Sequence, residues 1–581
     1  MAGSSPGTTL RRFFRMLQPD RREIGYIYLY AVLVGLIALA GPLGVQAIIN
    51  LIAGGTMSAS LVVLVIVVTA ATIFVGALKV MQYVVAETIQ RRIFSRAALE
   101  FAYRLPRIKS HSLSDQYPPE LVNRFFDTVT IQKGLPKILM DFSGAVMQII
   151  FGLILVAFYH PFFGVFGATL AVLLFLIVRV LAPRGMKTSL QESKYKYAVA
   201  GWLEDIARTN NTFKLAGGAS LSMRRTDKLI SGYLDARIAH FRTLMFQYGG
   251  LVVFQAIVTF GFLLLGGYLV IENLINIGQF VAAELVILLV LGSAEKVVFS
   301  LETIYDTLTG VEKLAAVTDL PLEASGSLTF ESIKGSGGME VELRQLTFQY
   351  SDAEKPALDH INLHLLPNQR LCLAGYNRSG RATLMQILAA MRQDFTGQLL
   401  YNHTPIGNLN LDSLRQNIGD YSLHEDLIPG NLIDNICLGH PDTTFDDIQW
   451  ALETAGLRDW LAEQPDGYDT MLVAQGLNVP RSVRTRLLLA RAVVRRPRLL
   501  VLGNLVEHLE PGLRKAIVER IPAPDNCWTL VIASNDPAVA LLCDRLAVLR
   551  YGRLQTDDEP AKVLQRDEYS DLWSIPHKPT A

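Results

Sequence analysis

The chain has 581 residues, half of them hydrophobic and only 18% charged, with a mean hydropathy of +0.29. That balance is too apolar for an ordinary soluble protein of this length, and the length allows more than one domain. A formal net charge of +1 argues against nucleic acid as a partner.

The apolar excess lies in the first 310 residues. Ile24 to Leu78 contains no charged residue, more than one span of about 20 residues needs, and the small, polar break Gly54-Gly55-Thr56-Met57-Ser58 divides it into a helical hairpin. A second uncharged run, Phe142 to Val178, breaks at His160-Pro161. A third covers Thr243 to Ile271 and then Asn273 to Leu291, where Glu284 is the only charge. The pattern predicts six spans in three hairpins. The hairpin tips carry no Lys or Arg, whereas the joining segments Lys79–Lys137 and Arg179–Arg242 carry about ten and about twelve. The positive-inside rule places those segments in the cytoplasm, with Arg11-Arg12-Phe13-Phe14-Arg15 and both termini on the same side. The basic start leads into a long span without a small-residue cleavage site, so no cleavable signal is expected. An integral membrane protein in contact with lipid is the expectation.

Val84–Phe101 and Leu190–Ile206 keep a helical period, so the spans should continue into the cytoplasm, with short turns near Ser110–Pro119 and Thr209–Gly218. Leu301–Val317 extends the sixth span in the same way and completes a first domain over 1–320. Pro321–Gly338, rich in Gly and Ser, reads as a linker. From Met339 to Ala581 the pattern is α/β, with strands expected at 341–348, 361–365, 371–374, 499–502 and 530–533 and helices at 483–495 and 513–520. Cys372, Cys437, Cys527 and Cys543 match no metal-ligand spacing. They are expected to be reduced and buried, and no metal site is expected.

The run Gly375-Tyr376-Asn377-Arg378-Ser379-Gly380-Arg381-Ala382-Thr383 stands between an apolar strand and a helix, the setting of a phosphate-binding Walker A loop. Gly375 and Gly380 keep the spacing of G-x-x-x-x-G-K-[ST]. Arg381 stands where the phosphate-reaching lysine belongs and Ala382 where the Mg²⁺-holding hydroxyl belongs. Glu284 lies well inside the sixth span, and an intramembrane carboxylate is by default a functional candidate. Its bland alternative is a hydrogen-bonded contact between helices.

Six spans in hairpins, long cytoplasmic extensions and a C-terminal phosphate loop together resemble an ABC exporter half-transporter, close in layout to those of multidrug export and bacterial type I secretion. The resemblance implies a membrane protein with a six-helix ABC-exporter-type transmembrane domain and a C-terminal α/β P-loop ATPase-like domain at 339–581. Only about two dozen residues precede the first span, so no N-terminal peptidase-like domain is expected. Aligned with the family's motifs, Tyr350 matches the aromatic that stacks on adenine. The Q-loop glutamine falls on Leu423, and the signature falls on Val479-Pro480-Arg481-Ser482-Val483. Where the family has Asp-Glu after the Walker B strand this chain has Gly503-Asn504, and the switch histidine falls on Asn535. The resemblance therefore implies at most weak ATP binding, resting mainly on Tyr350, and leaves Mg²⁺ in doubt. It implies lost hydrolysis as well: Ala382 and Gly503 remove the metal's orienting groups, and Asn504 cannot act as a general base.

The resemblance also implies a dimer, either with a second copy or with another ABC half-transporter, in which Arg481 of one chain would face Arg378 and Arg381 of the other. Glu507 and Glu510 are the available counter-charges. Three functions compete on this reading. The first is a pseudo-ATPase scaffold, regulator or conduit among export or secretion-system components. The second is an export subunit energised by a competent heterodimeric partner. The third is a membrane module sensing a ligand other than ATP. A bacterial inner membrane fits all three.

Overall fold

The computed structural model describes residues 6–53, 59–113, 118–333, 335, 337–421, 426–503, 517, 519–521 and 527–573. The chain divides into two compact units: Met1–Ile108 with Ser112–Pro321, and Lys109–His111 with Leu322–Ala581.

In the first unit six helices are long and apolar enough to cross a membrane: Thr8–Ala53, Ala59–Arg107, Glu120–Tyr159, Pro161–Arg208, Ala219–Ile271 and Ile277–Thr318. At 1.5 Å per residue they run to roughly 60–80 Å, about twice the hydrocarbon thickness of a bilayer, so each projects well beyond it. The sequence sets where each helix is interrupted. His160 is extended at φ −160° and hands over to Pro161, whose missing N–H costs nothing at the first position of a helix. The sixth helix opens on a capping box, in which the Asn276 side chain accepts from Gln279 N–H at 2.7 Å and Gln279 Oε1 accepts from Asn276 N–H at 2.9 Å. Two breaks were not legible beforehand: the first span divides into Arg21–Ile37 and Ala40–Ala53, and the third passes through a π-helical stretch, Lys137–Phe142, directly after Pro136. Proline removes one ladder hydrogen bond, and the wider turn is one way the backbone re-registers around that loss. The break expected at Gly54–Ser58 lies outside the described residues.

The sixth helix is the most enclosed span, with Ala282, Ala283, Val286 and Ala294 fully buried. Small side chains let neighbouring helices close in, as where a Cβ on Gly152 would come within 2.9 Å of Val290.

The second unit is α/β. Its strands are β1 (Val341–Phe348), β2 (Leu358–Leu365), β3 (Arg370–Gly375), β4 (Thr396–Tyr401), β5 (Thr404–Pro405), β6 (Ile418–Tyr421), β7 (Gly430–Asn431), β8 (Met471–Leu472), β9 (Leu499–Leu502), β10 (Thr529–Ala533), β11 (Arg545–Arg550) and β12 (Arg553–Asp558). Six of them form one sheet in the order β12-β11-β3-β10-β9-β6, parallel except for the edge strand β12. A smaller antiparallel sheet runs β2-β1-β4-β5, and β7 pairs with β8. The near-continuous apolar runs of β3, β9 and β10 follow from burial on both faces. Leu371, Leu373, Leu499, Val501, Val531 and Ala533 enter one core, while Cys372, Ala374, Leu500, Leu502, Leu530 and Ile532 enter the other. The strand period of two divides each run cleanly between these layers.

Two expectations are corrected. The Gly- and Ser-rich segment read as a linker is fastened to the second unit rather than spaced from it. Leu328 bridges to Leu409, Phe330 is 1% exposed in the core, and Glu323 takes both prongs of the Arg415 guanidinium at 2.6 and 2.8 Å. Gly326 serves that close approach, since a Cβ there would lie 2.1 Å from the Asn408 carbonyl carbon. Cys372, Cys437 and Cys543 are buried and unpaired as thiols, but Cys527 is exposed, one residue before Trp528 enters the core ahead of β10.

Candidate nucleotide site

The phosphate loop follows β3 at the centre of the six-stranded sheet, where ligands of open α/β sheets gather beyond the carboxyl ends of the strands. The loop turns at once: Ser379 N–H donates to Tyr376 C=O at 3.1 Å, and the helix Arg381–Leu388 begins after Gly380 at φ +95°. Gly380 is required there for conformation and space, since a Cβ would sit 2.3 Å from the Ala357 carbonyl oxygen. Arg378 also takes a left-handed backbone, φ +64°, which is uncommon for a residue with a side chain. Asn377, Arg378 and Ala382 are exposed, whereas Ser379 and Thr383 are buried. The Ser379 Oγ has no hydrogen-bond partner among the described residues.

Arg381 is engaged by a residue far along the chain. Its Nη1 donates to Asn535 Oδ1 at 3.0 Å. The same oxygen accepts from Gly375 N–H at 3.0 Å, and Asn535 Nδ2 returns a bond to Gly375 C=O at 3.1 Å. Beneath this contact lie two buried thiols. Cys372 is pushed well above the usual thiol range by its hydrogen bond to Cys543 and by burial, which suits a core filler rather than a nucleophile.

Tyr350 is half-buried at the end of β1. Its hydroxyl meets Thr383 Oγ1 at 3.0 Å, its ring lies edge-on to Phe348, and the Arg392 guanidinium sits 4.9 Å from its centroid. Neither Thr383 nor Arg392 stood out as a partner of Tyr350 in the sequence, because only the folding of β1 beside the phosphate-loop helix brings them together.

After β9, Gly503 is buried and extends the β6–β9 pairing by donating its N–H to Tyr421 C=O at 2.7 Å. It brings no carboxylate. Leu423, Asn504, Glu507 and Glu510 lie outside the described residues. The segment Val479–Val483, expected to be the signature, reaches its helix, Arg481–Val493, through Pro480 at φ −56° and ψ 149°, with no side-chain cap. Val483 is buried in the core, Val479 packs partly against it, Ser482 is half-buried, and Pro480 and Arg481 are exposed. The Pro480 carbonyl accepts the first helical bond, from Arg484 N–H at 3.0 Å, while its nitrogen offers no hydrogen to an anion.

Glu284 is half-buried in the sixth helix and makes no salt bridge or side-chain hydrogen bond among the described residues, so the bland alternative of an interhelical hydrogen bond finds no partner there. Among the described residues no group of three or more His, Cys, Asp or Glu side chains is arranged to hold a metal.

Residues 24–294 match the family of the ABC transporter transmembrane region, and residues 358–504 match the ABC transporter family. Over 574 residues the chain is 24% identical to the cyclolysin secretion/processing ATP-binding protein CyaB of Bordetella pertussis, covering 95% of this chain and 78% of that protein. It is 24% identical to the alpha-hemolysin translocation ATP-binding protein HlyB of Escherichia coli O157:H7 over 63% of this chain and 52% of the relative. An ATP-dependent lipid A-core flippase of Burkholderia orbicola is 28% identical over 53% and 51% of the respective chains. A solved bacterial Atm1-family ABC exporter with ATP bound superposes with a TM-score of 0.84 at 17% identity, over 95% of this chain and 98% of that one, which establishes a shared fold. With the transmembrane and ABC transporter regions matched in order on one polypeptide, the chain belongs to the ABC transporter family as an exporter-type half-transporter related to the ATP-binding proteins of type I secretion.

Proposed function

We propose that this half-transporter works in a bacterial export or secretion system as a pseudo-ATPase, a scaffold, regulator or conduit whose nucleotide domain does not turn over ATP. The observation that carries the reading is the engagement of Arg381 by Asn535, on a loop that has Ala382 in place of the metal-holding hydroxyl. Gly503 after the Walker B strand supports it, since neither residue offers oxygen to Mg²⁺. Losing one positioned catalytic group typically lowers a rate about 10²–10³-fold. Groups that act as a unit do not add simply, but several are absent together. Working as a dimer with both termini cytoplasmic follows from the exporter layout and the placement of basic residues. A heterodimer energised by a competent partner is disfavoured by Pro480 and Arg481, which would spoil the partner's site as well. Sensing of a ligand other than ATP has no observation of its own in its favour.

ATP turnover by the purified chain, alone and with any co-purifying partner, tests the proposal. Turnover should not exceed that of a preparation further substituted at Arg381 and Asn504, and Arg381→Lys alone should not raise it. Robust Mg²⁺-dependent turnover that vanishes in the substituted protein would refute it.

A further inference from the structure

The ladder between β3 and β10 ends at Leu373 and Ala533, with one further bond from Ser534 N–H to Leu373 C=O. Beyond that point a side chain carries it on. The Asn535 amide both donates to and accepts from the peptide groups of Gly375, at 3.1 and 3.0 Å, taking on one residue the two bonds that a parallel strand would share between two. A primary amide carries the same donor and acceptor as a peptide, which is why asparagine can imitate backbone here. The same Oδ1 takes the Arg381 guanidinium. Arg381 is the first residue of its helix, where free N–H groups and the dipole's positive end disfavour a cation. An acceptor at that position offsets part of the cost of a half-buried charge.

We propose that Asn535 is a latch. It positions Arg381 against the end of β3, so any phosphate group entering the loop must compete with an internal acceptor for the one cation at the lysine position. The proposal rests on reading the domain as non-hydrolysing and adds what holds the empty loop in shape. Weak nucleotide binding then has a structural cause besides the missing residues, and Asn535 is a positioning residue acting through Arg381.

The test uses the full-length protein in detergent and the fluorescent nucleotide MANT-ATP, with and without Mg²⁺. Asn535→Ala removes this acceptor from the guanidinium and should tighten binding about tenfold, the change expected for one charge-assisted hydrogen bond. Asn535→Asp gives up the bond to Gly375 C=O, but its charge grips Arg381 more firmly, so binding should fall below that of the unsubstituted protein. A new carboxylate also repels nucleotide directly, so both substitutions are repeated on Arg381→Met. There the latch has nothing to hold, and Asn535→Ala should leave affinity unchanged. Equal affinities across the series, a reversed order, the same gain on the Arg381→Met background, or no binding by any variant would each overturn the latch. ATP turnover is read from the same samples. Turnover by the unsubstituted protein would contradict the non-hydrolysing reading while leaving the affinity order to judge the latch.

Discussion

Gly380 gives the sharpest quantitative test of why the phosphate loop has kept its glycines. With φ at +95°, a side chain there forces a left-handed backbone, which costs about 1–2 kcal/mol. An added methyl would lie 2.3 Å from the Ala357 carbonyl oxygen and 2.9 Å from Leu358 Cδ2, so the start of β2 has to move by roughly an ångström, an overpacking cost of about 1–3 kcal/mol. Gly380→Ala should therefore destabilise the second unit by about 2–5 kcal/mol, and a loss near the middle of that range lowers the melting temperature by about 10 °C for a domain of this size. Tryptophan fluorescence suits the measurement, since Trp450, Trp460, Trp528 and Trp573 all belong to the second unit and only Trp202 to the first. Gly407→Ala is the control: nothing lies within 4 Å of its added Cβ, so the melt should stay within a degree or two, the usual small effect of a surface change. Arg378→Gly, at φ +64°, should move the other way and gain up to about 1 kcal/mol. A melt for Gly380→Ala indistinguishable from the Gly407 control would refute the reasoning, and would mean that the glycine answers only to phosphate approach.

Tyr350→Phe removes the hydroxyl bonded to Thr383 and should cost about 0.5–1.5 kcal/mol in the same melt while leaving the Arg392 contact in place; no loss would show that this bond is only decorative. Burial and then the Arg495 charge hold His440 below its ordinary value of 6.5, so the folded state favours the neutral ring. Its contribution to stability is complete above about pH 6.5 and is lost as pH falls through the lowered value. His440→Asn should therefore flatten the stability–pH curve below 6.5 relative to the parent, and an unchanged slope contradicts the assignment. On the sixth helix Glu284, Glu295 and Glu302 are separated by close to three and then two whole turns, beside exposed Leu288 and Phe299 and opposite the fully buried Val286. Lipid does not accept such a line of carboxylates, so single cysteines placed at 284, 295 and 302 in a Cys527→Ser background should react with water-soluble methanethiosulfonates; a silent position 284 would place that face against lipid or a second copy.

Much of the architecture was legible because it is written in one-dimensional patterns. Uncharged runs long enough to span a bilayer mark the helices, and His160-Pro161 marks a turn through proline's missing donor. Leu371–Ala374 and Leu499–Leu502 announce strands covered on both sides. The strand, turn and helix around Gly375–Thr383 were legible too, since they are contiguous in the chain. The fastening of Leu322–Gly338 was hidden by its composition, because glycine and serine serve close packing as well as they serve a spacer. The π-helical turn at Lys137–Phe142 left no mark beyond Pro136, because its wider turn carries no residue signature of its own.

The sequence by itself determined which groups are available: the guanidinium of Arg381, the methyl of Ala382, no side chain at Gly503, Pro480 before a helix, and a carboxylate at Glu284 inside a long apolar helix. Tertiary structure alone decided what those groups touch. Asn535 lies 154 residues beyond Arg381, and only the parallel pairing of β3 with β10 carries its amide to the end of the loop. Tyr350 likewise reaches Thr383 and Arg392 because β1 passes beside the phosphate-loop helix. A hydrogen bond is satisfied within about 3 Å while the chain between its partners runs over a hundred residues, so the inventory is local and the choice of partner belongs to the fold.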